Sequence, residues 1–93
     1  MKYTLRYSGQ FKRSYKLCKK RGYDMSKLET VLRLLAETGT LPPKYKPHIL
    51  SGRNWAGYWE CHIEPNWLLV WDQNDTELVL LLLDTGTHSD LFD

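Results

Sequence analysis

The chain has 93 residues, which favours one domain spanning 1–93 with a small core. Its hydrophobic fraction of 42% and charged fraction of 26% exclude a disordered chain. The longest apolar run, Leu78 to Leu83, is too short to cross a bilayer. Two distant cysteines, Cys18 and Cys61, with no signal peptide predict a reduced cytoplasmic protein rather than a disulfide framework.

The first half of the chain predicts one strand and two helices. Residues 2–7 alternate and are rich in Thr, Leu and Tyr, a pattern typical of a strand. Ser8 is the expected N-cap of a helix over residues 9–21, which Gly22 ends. Asp24 is the expected cap of a second helix, whose apolar stripe runs to Gly39.

The second half predicts an antiparallel meander. Its prolines exclude a helix and a central strand from residues 39–52, which we expect to form an extended connector with a short strand over 48–50. Residues 58–64, 67–71 and 77–83 are predicted to form strands joined by the turns "EPNW" and "DQND". The predicted class is therefore α+β, with the order β-α-α-β-β-β-β and a two-helix hairpin packed on a mainly antiparallel sheet. The face that carries Glu60, His62 and Glu64 is expected to remain free for a site.

The first predicted helix is strongly basic on its polar side. Between residues 12 and 21 there is no acidic residue, and the basic residues are Lys12, Arg13, Lys16, Lys19, Lys20 and Arg21. Such a run is either a solvated helix face or a docking surface for a polyanion. The residues alone leave both explanations open.

The histidines are the main candidates for chemistry, and they admit several explanations. His48, His62 and His88 lack the short ligand spacings of zinc sites, and Cys61 points away from His62 on a strand. No nucleophile elbow accompanies Ser89, and Cys18 lies on the apolar helix face, so nucleophilic catalysis is not supported. A structural or surface role remains the alternative for each histidine.

Metal-free RNA cleavage is the chemistry that the composition fits. It needs a base, an acid, a cation and an aromatic ring to hold an unstacked base. Histidine suits both proton roles because its pKa lies near neutrality. The residues able to supply these parts are His48, His62, His88, Lys44, Lys46, Arg53, Trp67 and Phe92.

Four stretches resemble a known family. They are "YSGQFKRSYKLCKKRGYDMSKL", "LPPKYKPHILSG", "WAGYWECHIEPNWLLVW" and "TGTHSDLF". In this combination and order they resemble the YafQ-like branch of the RelE/ParE superfamily, which comprises the toxins of type II toxin–antitoxin systems that cleave mRNA on the ribosome. The resemblance runs essentially from end to end of the chain.

The resemblance implies a fold, an activity and site residues. It implies a RelE-like, microbial-RNase-type fold and cleavage of mRNA in the ribosomal A site without a cofactor or metal, neutralised by a cognate antitoxin in a hetero-oligomer. By motif, His88 is the leading proton-transfer residue, with His62 and His48 beside it. Phe92, Trp67 and Asn66 match substrate-site positions. The resemblance also favours ribosomal RNA as the polyanion met by Lys12, Arg13, Lys16, Lys19 and Lys20.

Two positions depart from the family pattern. Asn66 stands where relatives often have Asp, and an amide cannot take up a proton at neutral pH. Asp84 stands where relatives commonly have Arg, and a carboxylate there would repel phosphate unless Lys44, Lys46 or Arg53 replaces the missing charge. Two alternatives follow: a non-catalytic, ParE-like inhibitor of DNA gyrase, or an attenuated relative that only binds its antitoxin.

Overall fold

The structure is a computed structural model that describes residues 2–52 and 54–92. The strands are β1 (Thr4–Tyr7), β2 (His48–Ile49), β3 (Trp59–Glu64), β4 (Trp67–Asn74) and β5 (Val79–Gly86), and the helices are α1 (Gly9–Lys20), α2 (Met25–Thr38) and α3 (His88–Phe92). The α+β class and the two-helix hairpin are confirmed. No helix in this part of the chain combines the length and apolar character needed to cross a membrane.

Both predicted helices begin and end where local side chains dictate. The Ser8 hydroxyl accepts a hydrogen bond from the Phe11 N–H at 2.9 Å, and Asp24 accepts one from the Ser26 N–H at 3.1 Å. These caps satisfy N–H groups that the first helical turn leaves unpaired. Gly39 ends α2 with φ +72°, a conformation that glycine adopts without strain.

The five strands form one sheet in the order β1-β5-β4-β3-β2. The predicted meander is confirmed, since β4 pairs antiparallel with β3 on one side and with β5 on the other. β1 instead pairs parallel with β5, which the long crossover through both helices allows. The last turn lies later than predicted, because β4 continues to Asn74 and β5 runs on to Gly86.

The helices cover one face of the sheet. The buried core there joins the apolar stripes of α1 and α2 to inward side chains of β3, β4 and β5, including Phe11, Leu28, Cys61, Trp71 and Leu82. Cys61 and its face of β3 are therefore buried as the alternation predicted.

The opposite face is not free, contrary to expectation. Leu68 and Val70 are buried there under Leu91 of α3, and further apolar side chains close the cluster, namely Leu50, Trp55, Tyr58, Leu83 and Phe92. The chain returns over this face after β5, because Gly86 turns it back onto the sheet. A site on this face must therefore lie beside α3 rather than across the whole sheet.

Three local predictions need correction. The proline-rich connector is not wholly extended, because Pro43–Tyr45 form a 3₁₀ turn that starts with proline at its first position, where proline is tolerated. Glu64 does not share the face of His62: a bulge follows His62, and Glu64 forms an ion pair with Lys27 of α2. His88 lies in a third helix, α3, which the predicted element order does not contain.

Candidate active site

The sheet register places His62 near the start of α3. His62 pairs with Leu68, and Leu68 pairs with Gly86 at the end of β5. Paired residues of antiparallel strands share a face, and two strand spacings separate His62 from Gly86 by about 10 Å. His88 follows Gly86 by two residues, so both imidazoles lie at the same end of one sheet face.

His48 lies on the other side of His62, and each of its ring nitrogens lies close to an oxygen atom of the protein. β2 pairs with β3 so that His48 is opposite Glu60, and the Nε2 atom of His48 is 3.1 Å from a carboxylate oxygen of Glu60. The Nδ1 atom is 2.8 Å from the carbonyl oxygen of Lys46. The ring centroids of His48 and His62 are 6.3 Å apart. These contacts place two of the three histidines and a buried carboxylate in one cluster.

A basic groove adjoins this cluster. It has a volume of about 340 Å³ and is lined by Lys44, Lys46 and His62, together with residues 63–65. Both lysines are exposed at the 3₁₀ turn, and the αL conformation of Lys46, with φ +50°, ends that turn. Two ammonium groups beside an imidazole suit a phosphate group.

His88 is held at the site by the geometry of α3. The Thr87 hydroxyl accepts a hydrogen bond from the Asp90 N–H, and Asp90 accepts one from the Thr87 N–H at 2.8 Å, which forms a capping box. Arg21 of α1 donates two hydrogen bonds to the Asp90 carboxylate, at 2.6 and 3.1 Å. The Arg21 guanidinium and the Thr87 N–H hold the pKa of Asp90 well below its usual range. α3 is therefore anchored to α1 while His88 remains exposed.

An aromatic cluster borders His88, and sequence reasoning found only part of it. The ring of Phe92 lies 4.9 Å from that of His88 and 5.8 Å from that of Trp55. Trp55 in turn contacts Tyr58 edge to face. Trp55 was not among the predicted site residues, although its aromatic side chain in the polar turn "GRNWAG" was a usable signal. Half-buried rings of this kind can stack on an unpaired base.

The structure places two predicted substrate-site residues, Trp67 and Asn66, away from the histidines. Trp67 is only 3% exposed, and its indole N–H donates to the Thr85 hydroxyl at 3.0 Å, so its ring is almost wholly buried in the core. Asn66 lies on the exposed turn and borders a different opening of about 280 Å³, beside Tyr23 and Lys27. Arg53 lies outside the described residues.

Asp84 is buried rather than directed into solvent. Its side chain accepts hydrogen bonds from the Ser14 hydroxyl of α1 and from the Thr85 N–H, the latter at 2.8 Å. The residue is 8% exposed. The position at which the resemblance leads us to expect a cation thus holds a carboxylate tied to α1.

The predicted docking residues are all exposed on α1, namely Lys12, Arg13, Lys16, Lys19 and Lys20. Three of these lysines border an apolar groove of about 540 Å³ whose floor includes Tyr7, Phe11, Tyr15 and Leu32. The basic face is therefore both solvated and continuous with an apolar surface.

Among the described residues, neither a reactive cysteine nor a group of metal-binding side chains forms a second candidate active site. Burial raises the pKa of the Cys61 thiol far above its ordinary value and also raises the pKa of Cys18, so neither is a ready nucleophile. Within residues 2–52 and 54–92, no three His, Cys, Asp or Glu side chains are grouped so as to hold a metal ion.

The chain matches known proteins over nearly its whole length. Residues 3–93 match the family model described as the bacterial toxin of type II toxin–antitoxin system, YafQ. The mRNA interferase toxin YafQ of Escherichia coli K12 is 43% identical over 89 residues, which are 95% of this chain and 94% of that protein.

Solved structures agree with the sequence matches. The chain superposes on one chain of the crystal structure of the Escherichia coli DinJ-YafQ complex with a TM-score of 0.87 at 40% identity. The match covers 98% of this chain and 99% of the matched chain. It superposes on a metal-bound toxin from Helicobacter pylori with a TM-score of 0.87 at 38% identity, covering 97% and 99%. The chain therefore belongs to the YafQ family of bacterial toxins of type II toxin–antitoxin systems.

Proposed function

We propose that this chain is a ribosome-dependent endoribonuclease that cleaves mRNA by metal-free acid–base chemistry. The observation that supports this most directly is the grouping of His48, His62 and the His88-bearing helix on one sheet face beside the lysines of the connector. The name of the related Escherichia coli toxin, an mRNA interferase, agrees with this chemistry.

The proposed reaction transfers two protons and exchanges one bond at phosphorus. One histidine takes the proton of the ribose 2′-hydroxyl, and the 2′-oxygen forms a bond to phosphorus. The bond from phosphorus to the 5′-oxygen breaks, and a second histidine gives that oxygen its proton. Lys44 and Lys46 stabilise the negative charge that builds up on the phosphate oxygens. Phe92 and Trp55 hold the neighbouring base.

The proposed partner of the toxin is an antitoxin that covers its basic surface. The related Escherichia coli toxin was solved in a complex with DinJ. On this chain, the groove rimmed by Lys12, Lys16 and Lys19 offers apolar contact and positive charge together, which suits an acidic segment that folds on binding.

The decisive experiment is to map mRNA cleavage on translating ribosomes with the wild-type chain and with His88→Ala. We expect the variant to be slower by about 10²–10⁴-fold, the usual contribution of a proton-transfer residue. Glu77→Gln, a change on an exposed turn far from the site, is the matched control. A His88→Ala variant that cleaves like wild type, or intact mRNA together with inhibited DNA supercoiling, would contradict the proposal.

Metal independence has its own test. Cleavage should continue in the presence of a chelator selective for zinc and copper, with the ribosomal magnesium left in place. If the chelator abolishes cleavage and added zinc or copper restores it, a metal takes part.

A further inference from the structure

We propose that the opening beside Tyr23 binds one base of the RNA substrate and selects a base that carries an exocyclic amino group. The opening has a volume of about 280 Å³ and lies where the β3–β4 hairpin meets the start of α2. The inference rests on the proposed ribonuclease function, because it adds a substrate subsite to that reaction. It gives Asn66, which lies away from the histidines, a part in substrate selection.

This opening is continuous with the basic groove that holds His62. Glu64 borders both of them. Between them lies a third opening of about 270 Å³, which shares Lys44 with the groove and Lys27 with the opening beside Tyr23. An RNA strand whose cleaved phosphate lies at the groove therefore has an open path along the surface to Tyr23.

Tyr23 supplies a fixed ring on which a base can stack. Its ring centroid lies 4.8 Å from that of Trp67, and the two rings meet edge to face at 63°. Trp67 is itself fixed in the core by the hydrogen bond from its indole N–H to Thr85, whereas Tyr23 is half-buried and borders the opening. Proteins that bind single-stranded RNA commonly hold unstacked bases on aromatic side chains of this kind.

The charges at this opening suit a base better than a phosphate group. Asp24 and Glu64 contribute carboxylates to its lining, and Lys27 contributes an ammonium group that is already paired with Glu64. The Ser26 hydroxyl and N–H donate to Asp24 and hold its pKa below the usual value, so Asp24 is charged at neutral pH. A phosphate would be repelled here, whereas an exocyclic amino group can donate hydrogen bonds to the carboxylates.

Asn66 is placed to contact the edge of the stacked base. It lies on the exposed hairpin turn at the rim of the opening, and its amide offers both a donor and an acceptor. An amide of this kind pairs with adenine through the amino group and a ring nitrogen, and a carboxylate accepts from the amino group of cytosine. Uracil has no amino group. The opening should therefore bind adenine and cytosine more tightly than uracil.

The direct test is a titration of the purified chain with 2′-O-methylated trinucleotides, which lack the hydroxyl that attacks phosphorus and so are not cleaved. Trinucleotides of adenine, cytosine and uracil are compared by ¹H–¹⁵N correlation spectra, in which the side-chain amide of Asn66 and the indole N–H of Trp67 are followed. We expect adenine and cytosine to shift both signals and to bind about 5- to 100-fold more tightly than uracil, the range for one specific base contact.

Point variants assign this binding to individual side chains. Asn66→Ala should reduce the preference over uracil, and Tyr23→Leu should weaken all three trinucleotides, because stacking does not depend on the identity of the base. Tyr23→Phe keeps the ring and should bind like wild type. Asn54→Ala, which removes an exposed amide from another turn, is the matched control for Asn66. Circular dichroism checks the fold of each variant, and the exposed position of Asn66 keeps the test available if Tyr23→Leu does not fold.

The same preference should appear in cleavage on translating ribosomes. Reporter mRNAs are compared that differ at one nucleotide, adenosine or uridine, at each position of the cleaved codon in turn. We expect one position at which uridine lowers kcat/KM of the wild-type chain, mainly through KM, and at which Asn66→Ala reduces the difference.

Two results would overturn the inference. One is a set of shifts confined to the groove around His62, with the signals of Asn66 and Trp67 unchanged; the other is equal binding of adenine, cytosine and uracil. If the wild-type chain cleaves no mRNA at all, the proposed function fails, but the titration still decides whether this opening binds a base.

Discussion

Asp84 is the residue at which the effect of a single charge on the cleavage rate can be tested most directly. Its carboxylate is buried and accepts hydrogen bonds from Ser14 and Thr85. Asp84→Asn keeps an oxygen for both donors and removes only the charge. If the carboxylate repels the substrate phosphate by about 1 kcal/mol, cleavage should rise roughly fivefold. Single-turnover rates give the answer, with Asp72→Asn on the exposed side of β4 as the charge-matched control.

The larger change, Asp84→Arg, tests the fold as well as the charge. An arginine at this position cannot accept from Ser14 or Thr85 and has little space beneath α1. We expect a decrease of about 1–3 kcal/mol in the free energy of unfolding, measured by urea titration. The cleavage rate of this variant is therefore expressed per folded molecule. Unchanged stability would mean that the buried contacts of Asp84 contribute little.

At the scale of elements, one carboxylate joins the first turn of α3 to α1. Asp90 caps the helix at Thr87 and accepts two hydrogen bonds from Arg21. Asp90→Ala should lower the free energy of unfolding by about 1 kcal/mol, as the removal of a helix cap does, and should reduce cleavage because His88 and Phe92 lose their position. Ser89→Ala on the same exposed turn is the control. Equal activity in both variants would show that α3 needs no anchor.

The pH dependence of this anchor has a definite sign. The folded-state pKa of Asp90 lies below its unfolded value, because Arg21 and the Thr87 N–H favour the charged form. The stabilisation is therefore present at pH values above the ordinary aspartate pKa of about 3.9 and is lost as the pH falls through the folded-state value. Thermal unfolding of wild type and Asp90→Ala should converge as the solution is acidified. A constant difference in melting temperature would contradict this origin.

The elements differ in how well the sequence predicts them. α1, α2 and the β3–β4 hairpin follow from caps, apolar periodicity and turn residues, all of which act locally. α3 was missed because five residues are too few to show a period, although Thr87 and Asp90 stand at capping-box spacing. The parallel pairing of β1 with β5 joins residues about as far apart as the chain allows, and no local pattern encodes it.

At the scale of the whole molecule, the site depends on how the strands are paired residue by residue, which the sequence does not show. The family motifs supplied the three histidines, and only the pairing of β2, β3, β4 and β5 places their elements on one face. The same motifs could not show that Trp67 faces the core, because its burial depends on Thr85 and Tyr23 from distant parts of the chain. The residue types of the site were thus predictable from the sequence, whereas the direction in which each side chain points depends on the fold.

The molecule also has a charge distribution that predicts its salt dependence. The exposed basic side of α1 lies apart from the groove of His62, so it can contact RNA without taking part in cleavage. Replacing Lys12, Lys16 and Lys19 by glutamine should weaken binding to ribosomes. The slope of log affinity against log salt should fall by roughly 0.7–0.9 for each phosphate group that the variant no longer neutralises.

The matched control for this triple variant is a second one with the same change in charge, at the exposed residues Lys2, Arg6 and Arg33. Binding of both variants to purified ribosomes is measured over a series of salt concentrations. Because screened surface charges act only over about 10 Å, the slope of a docking face falls only when its own lysines are removed. Equal slopes in the two variants would mean that the basic side of α1 is a solvated helix face and that the ribosome meets another surface.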